Sequence, residues 1–183
     1  DETNVSAMIG RVHIMVERKQ YDEALALLEK CKKLSPEYEE VYRYMMIIYD
    51  ELGQQAKAID AALDWFEKSD DAGFSQILGV LKKRPAYAEA SIKQRAKTAE
   101  EPFMWKAMLC QFFEDTHKYA EAVKVYDQLE SDFGHIRGIN IGRSSCYSEL
   151  GLNEMAVADI SKAMEKEADW ESLCRRGDYY RLA

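Results

Sequence analysis

The sequence predicts an all-α protein, and three observations carry that prediction. Apolar residues recur three and four positions apart along nearly the whole chain, the spacing that lines one helix face. No stretch alternates apolar and polar residues for long enough to make a strand. The 183 residues include only nine glycines and three prolines, too few for a loop-rich or all-β chain.

The elements follow in order. Arg18-Lys19-Gln20 makes a first turn without glycine. In the segment after it, Ala24, Leu27, Leu28 and Cys31 share one face. Acidic Asp22 and Glu23 come early and basic Lys30, Lys32 and Lys33 late, which matches the helix dipole. Ser35-Pro36 closes this helix, because proline disfavours helix in the residue before it. Val41 to Leu52 reads as a helix stopped by Gly53, which enters the left-handed conformation without strain. Phe74 to Lys83 reads as a short helix, and Arg84-Pro85 makes the turn into the next, where Pro85 suits the first helical position. His117 takes a turn position, and Glu171 to Ala183 reads as a last helix.

These elements repeat. Tyr-x-Glu-Ala occurs at Tyr21, Tyr87 and Tyr119, and weaker copies share the slot at Gln55-Ala56-Lys57-Ala58 and Asn153-Glu154-Met155-Ala156. The alanines stand at 24, 58, 90, 122 and 156, at intervals of 34, 32, 32 and 34 residues. Gly53 and Gly151 precede their alanines by five residues, and Tyr49, Phe113 and Tyr147 precede theirs by nine. Pro36 and Pro102 follow Ala24 and Ala90 by twelve. Small residues let paired helices approach closely, the aromatic fills the space beside them, and each hairpin covers what its neighbour leaves open.

This phased set resembles the tetratricopeptide repeat, whose signature runs W-x2-L-G-x2-Y, then A-x3-F, then P. Leu109-Cys110-x2-Phe113 stands for L-G-x2-Y, Arg176-Gly177-x2-Tyr180 keeps its second part, and Leu78-Gly79 is the clear match in the third copy. Val12 occupies the small slot of the first copy. The resemblance implies a right-handed superhelical α-solenoid, a single array over residues 1–183. Its repeats span about 5–38, 39–71, 72–102, 103–136 and 137–170, followed by an unpaired helix at 171–183. That last helix keeps the small and aromatic slots that receive a second helix. The expectation is that the native chain continues or that another subunit covers the face, which makes self-association through the C-terminal helix one outcome.

Composition excludes several kinds of work. A net charge of −8 argues against general nucleic-acid binding, which needs clustered Lys and Arg. The charge is uneven: residues 1–70 carry −6, residues 71–102 carry +2 and residues 103–183 carry −4. Lys82, Lys83, Arg84, Lys93, Arg95 and Lys97 make up the basic group, which reads either as a solvated helix face or as a contact for an acidic partner. No apolar run is long enough for a membrane span. Cys31, Cys110, Cys146 and Cys174 form no C-x-x-C pair and fall mostly at apolar phases, as packing thiols do. Unpaired cysteines lean towards a cytoplasmic setting, and export with a removed signal peptide stays open. The chain begins Asp1-Glu2, as a processed or trimmed piece would, so its start says nothing of localisation.

No catalytic residue, metal ligand or cofactor site is expected. P-loop, H-E-x-x-H and G-x-S-x-G motifs are absent, and His13, His117 and His135 fall at different repeat phases. Met45, Met46, Met104 and Met108 read as core or groove lining.

The resemblance implies a non-catalytic protein–protein interaction scaffold that takes a peptide or partner helix in a groove lined by first helices. The groove positions are Ile9 and His13, then Arg43, Tyr44 and Ile47, then Gln76, then Met104, Met108 and Gln111, then Ile141 and Ser145. Members that hold the acidic tail of heat-shock chaperones use a Lys/Asn/Arg clamp there. Ile9 and His13 occupy the first-copy slots, so no chaperone-tail clamp is expected. The other readings are the repeat region of a larger enzyme or signalling protein, and a glycan-binding or small-ligand-binding helical module.

Overall fold

The computed structural model describes residues 4–69, 72–165 and 169–183. Among the described residues the chain forms eleven α-helices and no strand, the predicted class. It divides into two compact units, Asp1–Ser91 and Ile92–Ala183.

The first unit holds α1 (Val5–Glu17), α2 (Tyr21–Leu34), α3 (Glu39–Glu51), α4 (Gln55–Lys68), α5 (Phe74–Leu81) and the start of α6 (Pro85–Thr98). Successive helices from α1 to α5 pack on one another, and α1 also reaches α3. The Asn4 side chain caps α1 by accepting from the Ala7 N–H at 3.0 Å. Val12, Leu28, Cys31, Ile48, Ile59 and Leu63 are fully buried and form the core of this unit.

The second unit holds the rest of α6, then α7 (Pro102–Asp115), α8 (Tyr119–Phe133), α9 (Arg137–Glu149), α10 (Asn153–Ala163) and α11 (Trp170–Leu182). Helices α7 to α11 again pack consecutively. Phe112, Phe113, Met108, Leu129 and Ile160 fill the core here. Asp169 caps α11 by accepting from the Ser172 N–H at 2.8 Å.

Four hairpins share one turn. Lys19, Gly53, His117 and Gly151 all lie at positive φ, between 57° and 73°. In each turn the next N–H donates back to the carbonyl five residues earlier. Gln20 donates to Met15, Gln54 to Tyr49, Lys118 to Phe113 and Leu152 to Tyr147, at 2.8 to 2.9 Å. The residue whose side chain fills the hairpin thus also ends its helix.

The third hairpin differs. Its turn, Lys82 to Arg84, contains no residue at positive φ, and α5 has only eight residues. The sequence places the small slot at Ala90, but Ala90 is exposed and Ala88 is buried. The backbone fixes the phase. The N–H groups of Ala24, Ala58, Ala88, Ala122 and Ala156 each donate to the residue just before their helix, at 3.0 to 3.1 Å. The buried alanines therefore stand at 24, 58, 88, 122 and 156, and the Tyr87-x-Glu-Ala copy lies two residues out of phase. Omitting the left-handed turn and starting α6 on Pro85 shortens the hairpin.

Helix α11 packs on α10 and leaves Trp170 80% exposed. Tyr180 and Leu182 are also exposed, and a Cβ added at Gly177 would meet nothing within 4 Å.

Candidate functional site

The predicted groove residues separate into local groups. On α1 and α3, His13 Nδ1 and the Tyr44 hydroxyl share a hydrogen bond at 3.2 Å, and the Arg43 guanidinium lies 4.8 Å from the Tyr44 ring centre. Ile9 and Tyr44 are buried, so this group offers His13 and Arg43 at its surface. Ile47 and Gln76 meet at an open cavity of about 400 Å³ between α3 and α5. Met46, Asp50, Glu51, Gly79, Val80 and Lys83 complete its lining. Lys83 Nζ donates to both Asp50 oxygens at 2.6 and 2.7 Å and ties the two helix ends together.

Gln111 and Ser145 meet at a second open cavity, of about 270 Å³, between α7 and α9. Glu114, Asp115, Tyr119, Cys146 and Glu149 line it with them. Arg175 of α11 donates to the Ser145 hydroxyl at 3.0 Å. Ile141, half-buried, packs against the cluster of Tyr147, Ala156, Ile160 and Tyr179. The α7 methionines part company: Met104 is 54% exposed, whereas Met108 is 1% exposed and belongs to the core.

The two cavities are built on one register. Ile47, Gln111 and Ser145 stand eleven residues before the buried alanine of their hairpins. Asp50 and Glu114 stand eight before, and Glu51, Asp115 and Glu149 seven before. The last turns of α3, α7 and α9 therefore bring their carboxylates into the lining of these cavities.

Glu114 is the chemically distinctive member. It accepts from the Tyr126 hydroxyl at 2.5 Å. Burial raises its carboxyl above the ordinary value, and hydrogen bonds from Tyr126 and Cys146 offset only part of that. Burial, with the nearby Glu114 charge, pushes the Cys146 thiol up to about 12. The same causes raise Cys110 and Tyr126. These are suppressed thiols, the opposite of activated nucleophiles.

Sequence reading missed a buried ionic network. Arg143 of α9, with its side chain 6% exposed, donates to Asp159 of α10 at 2.6 and 3.0 Å. It also reaches Asp127 and Glu130 of α8, each at 2.7 Å. The hydrogen bond to Asp159, then the other carboxylates, raise the Arg143 pKa, while its hydrogen bond holds Glu130 below the ordinary value. One planar cation thereby joins three consecutive helices through directional bonds. Among the described residues no three His, Cys, Asp or Glu side chains gather as a metal ion would require.

Repeated hairpins with a common turn and a common register define a helical repeat protein. Residues 7–38, the first hairpin and its exit, match the tetratricopeptide repeat. Solved structures share the fold over nearly the whole chain. YrrB, a TPR protein with an unusual peptide-binding site, is 14% identical, with 97% of this chain and 94% of that chain covered and a TM-score of 0.52. PilW, a type IV pilus biogenesis factor, is 13% identical, with coverage of 97% and 85% and a TM-score of 0.56. A tetratricopeptide repeat protein from Parabacteroides merdae is 17% identical, with coverage of 97% and 72% and a TM-score of 0.53. No curated protein matches the chain by sequence. The chain is thus a helical repeat protein whose first hairpin matches the tetratricopeptide repeat and whose fold is shared by solved proteins of that type. No helix among the described residues is long and apolar enough to cross a membrane.

Proposed function

We propose that this chain is a non-catalytic scaffold that holds an extended, basic peptide segment against the exposed faces of its first helices. The repeated register of the two cavities carries the reading. Each offers a side chain eleven residues before the buried alanine, as a contact for the peptide, and carboxylates at the helix end. Carboxylates at a cavity edge favour Lys or Arg side chains, and the shared register gives each unit the same kind of hold. His13, Arg43, Ile47, Gln76, Met104, Gln111, Ile141 and Ser145 supply contacts, while Ile9, Tyr44 and Met108 support them from beneath. The peptide-binding site for which YrrB is described supports the reading as a capability of the fold.

The test is selection from a random peptide library, followed by calorimetry on the selected peptides. Enrichment in Lys and Arg is expected, with an affinity loss of about tenfold, or about 1.4 kcal/mol, for Glu51→Arg and Glu149→Arg at unchanged melting temperature. Neutral peptides whose affinity survives both substitutions would overturn the reading.

A further inference from the structure

A third cavity, of about 450 Å³, is built differently from the other two. Its lining comes from the second helices α6 and α8 and from the first helix α7. Four lysines line it: Lys93 and Lys97 on α6, Lys106 on α7 and Lys124 on α8. The one carboxylate in the lining is Glu121. Leu109, Phe113 and Val125 also line it and are buried, so the lysines ring an apolar base.

The lysines hold different positions. Lys93 lies 5.6 Å from the centre of the Phe113 ring. Lys106 is ion-paired with Asp132 and lies 6.0 Å from the Phe133 ring centre. Lys97 and Lys124 are exposed and make no hydrogen bond or ion pair among the described residues. Two cations from neighbouring second helices therefore face the cavity with their donors unspent. This happens in a chain whose net charge is −8, at the edge of its +2 segment.

We propose that this cavity is a second docking site, for an acidic peptide segment with a large apolar side chain at its centre. The apolar side chain would enter over Leu109, Phe113 and Val125, while flanking carboxylates meet Lys97 and Lys124. Charge complementarity selects this occupant. Lysines are compact point charges that suit isolated carboxylates, whereas the planar fork suited to paired phosphate oxygens is missing from the lining. A long polyanion such as a nucleic acid would run from the cavity into acidic surroundings. The site also differs from a chaperone-tail clamp, since Lys97 and Lys124 lie on second helices and no chain-terminal carboxylate is required.

The test uses the full chain and a fluorescent peptide, amidated at its C-terminus, with Glu and Asp residues on both sides of a central Leu-Phe pair. Fluorescence anisotropy is expected to show binding that weakens with added salt. The double variant Lys97→Glu, Lys124→Glu should weaken it by about tenfold or more at unchanged helicity and melting temperature, since two favourable pairs become repulsive. A peptide with Gln and Asn in place of the acids should bind far more weakly. Glu51→Arg and Glu149→Arg, which test the first-helix groove, should leave this binding in place. Absence of binding, insensitivity to the double variant, or loss through the groove variants alone would overturn the proposal. Binding of laurate in preference to the peptide, or a dimer that the double variant dissolves, would overturn it in favour of a lipid or a second copy of the chain.

Discussion

The Tyr126 hydroxyl occupies the space that a side chain at Gly142 would need. A Cβ there would fall 2.1 Å from the oxygen and 2.5 Å from the ring Cζ. Tyr126 cannot swing aside freely, because it is buried and its hydroxyl donates to Glu114. Gly142→Ala should therefore destabilise the second unit by about 1 to 3 kcal/mol, the usual cost of overpacking a filled site. Chemical denaturation measures it. Tyr126→Phe should relieve the variant only in part, because the ring carbon remains.

Two hairpin turns use a residue that pays for its conformation. Lys19 and His117 sit at φ of 57° and 58°, where the equivalent turns use Gly53 and Gly151. A left-handed non-glycine residue costs about 1–2 kcal/mol, offset in part by glycine's greater freedom when unfolded. Lys19→Gly should raise the thermal midpoint. His117→Gly should gain less, because His117 shares a 2.8 Å hydrogen bond with the Tyr119 hydroxyl that the change removes.

Arg143→Met should be the most damaging single change in the second unit. It leaves Asp159, 6% exposed at its side chain, without its cation, and breaking such a buried pair costs about 3 to 5 kcal/mol. Asp159→Asn in the same chain should recover part of the loss. Glu130 adds a pH signature. Its folded pKa is depressed, so its contribution is present above 4.5 and is lost as pH falls through the lower folded value. Urea unfolding against pH should show that acid-side loss in the native chain and a smaller one in Arg143→Met.

Glu114 acts with the opposite sign. Its folded pKa is raised above 4.5, so over a window starting there the folded state holds a proton that the unfolded state has released. Stability declines as pH rises through that window. Glu114→Gln can still accept from Tyr126 and has no charge to bury. The variant should match the native chain below 4.5 and exceed it increasingly towards neutral pH, as read from denaturation midpoints. A constant difference across the range would sink the argument.

The parts of this fold that glycine marks were legible in the sequence. Gly53 and Gly151 announce left-handed turns, while Lys19 and His117 adopt the same geometry under the pull of the hairpins and carry no local sign of it. The third hairpin was misread because Tyr87-Ala88-Glu89-Ala90 offers two alanines, and the motif selects the wrong one. Tyr87 does other work, donating its hydroxyl to Asp60 at 2.8 Å. Arg143 and its carboxylates went unseen because charged residues are ordinarily read as surface. The members of the network come from three helices, so no spacing in the chain records it. The first-helix positions were read from phase alone, and phase does not tell the exposed Met104 from the buried Met108 one turn later.

The short helix α5 bears on how the chain is held together in time. In a linear array, each unit survives by what it makes internally and what it shares with its neighbours. With two turns, no side-chain cap and no left-handed terminus, α5 makes less of its own structure than any other first helix. It therefore depends most on its surroundings, and sets the place where protection from solvent fails first while the hairpins on either side stay closed.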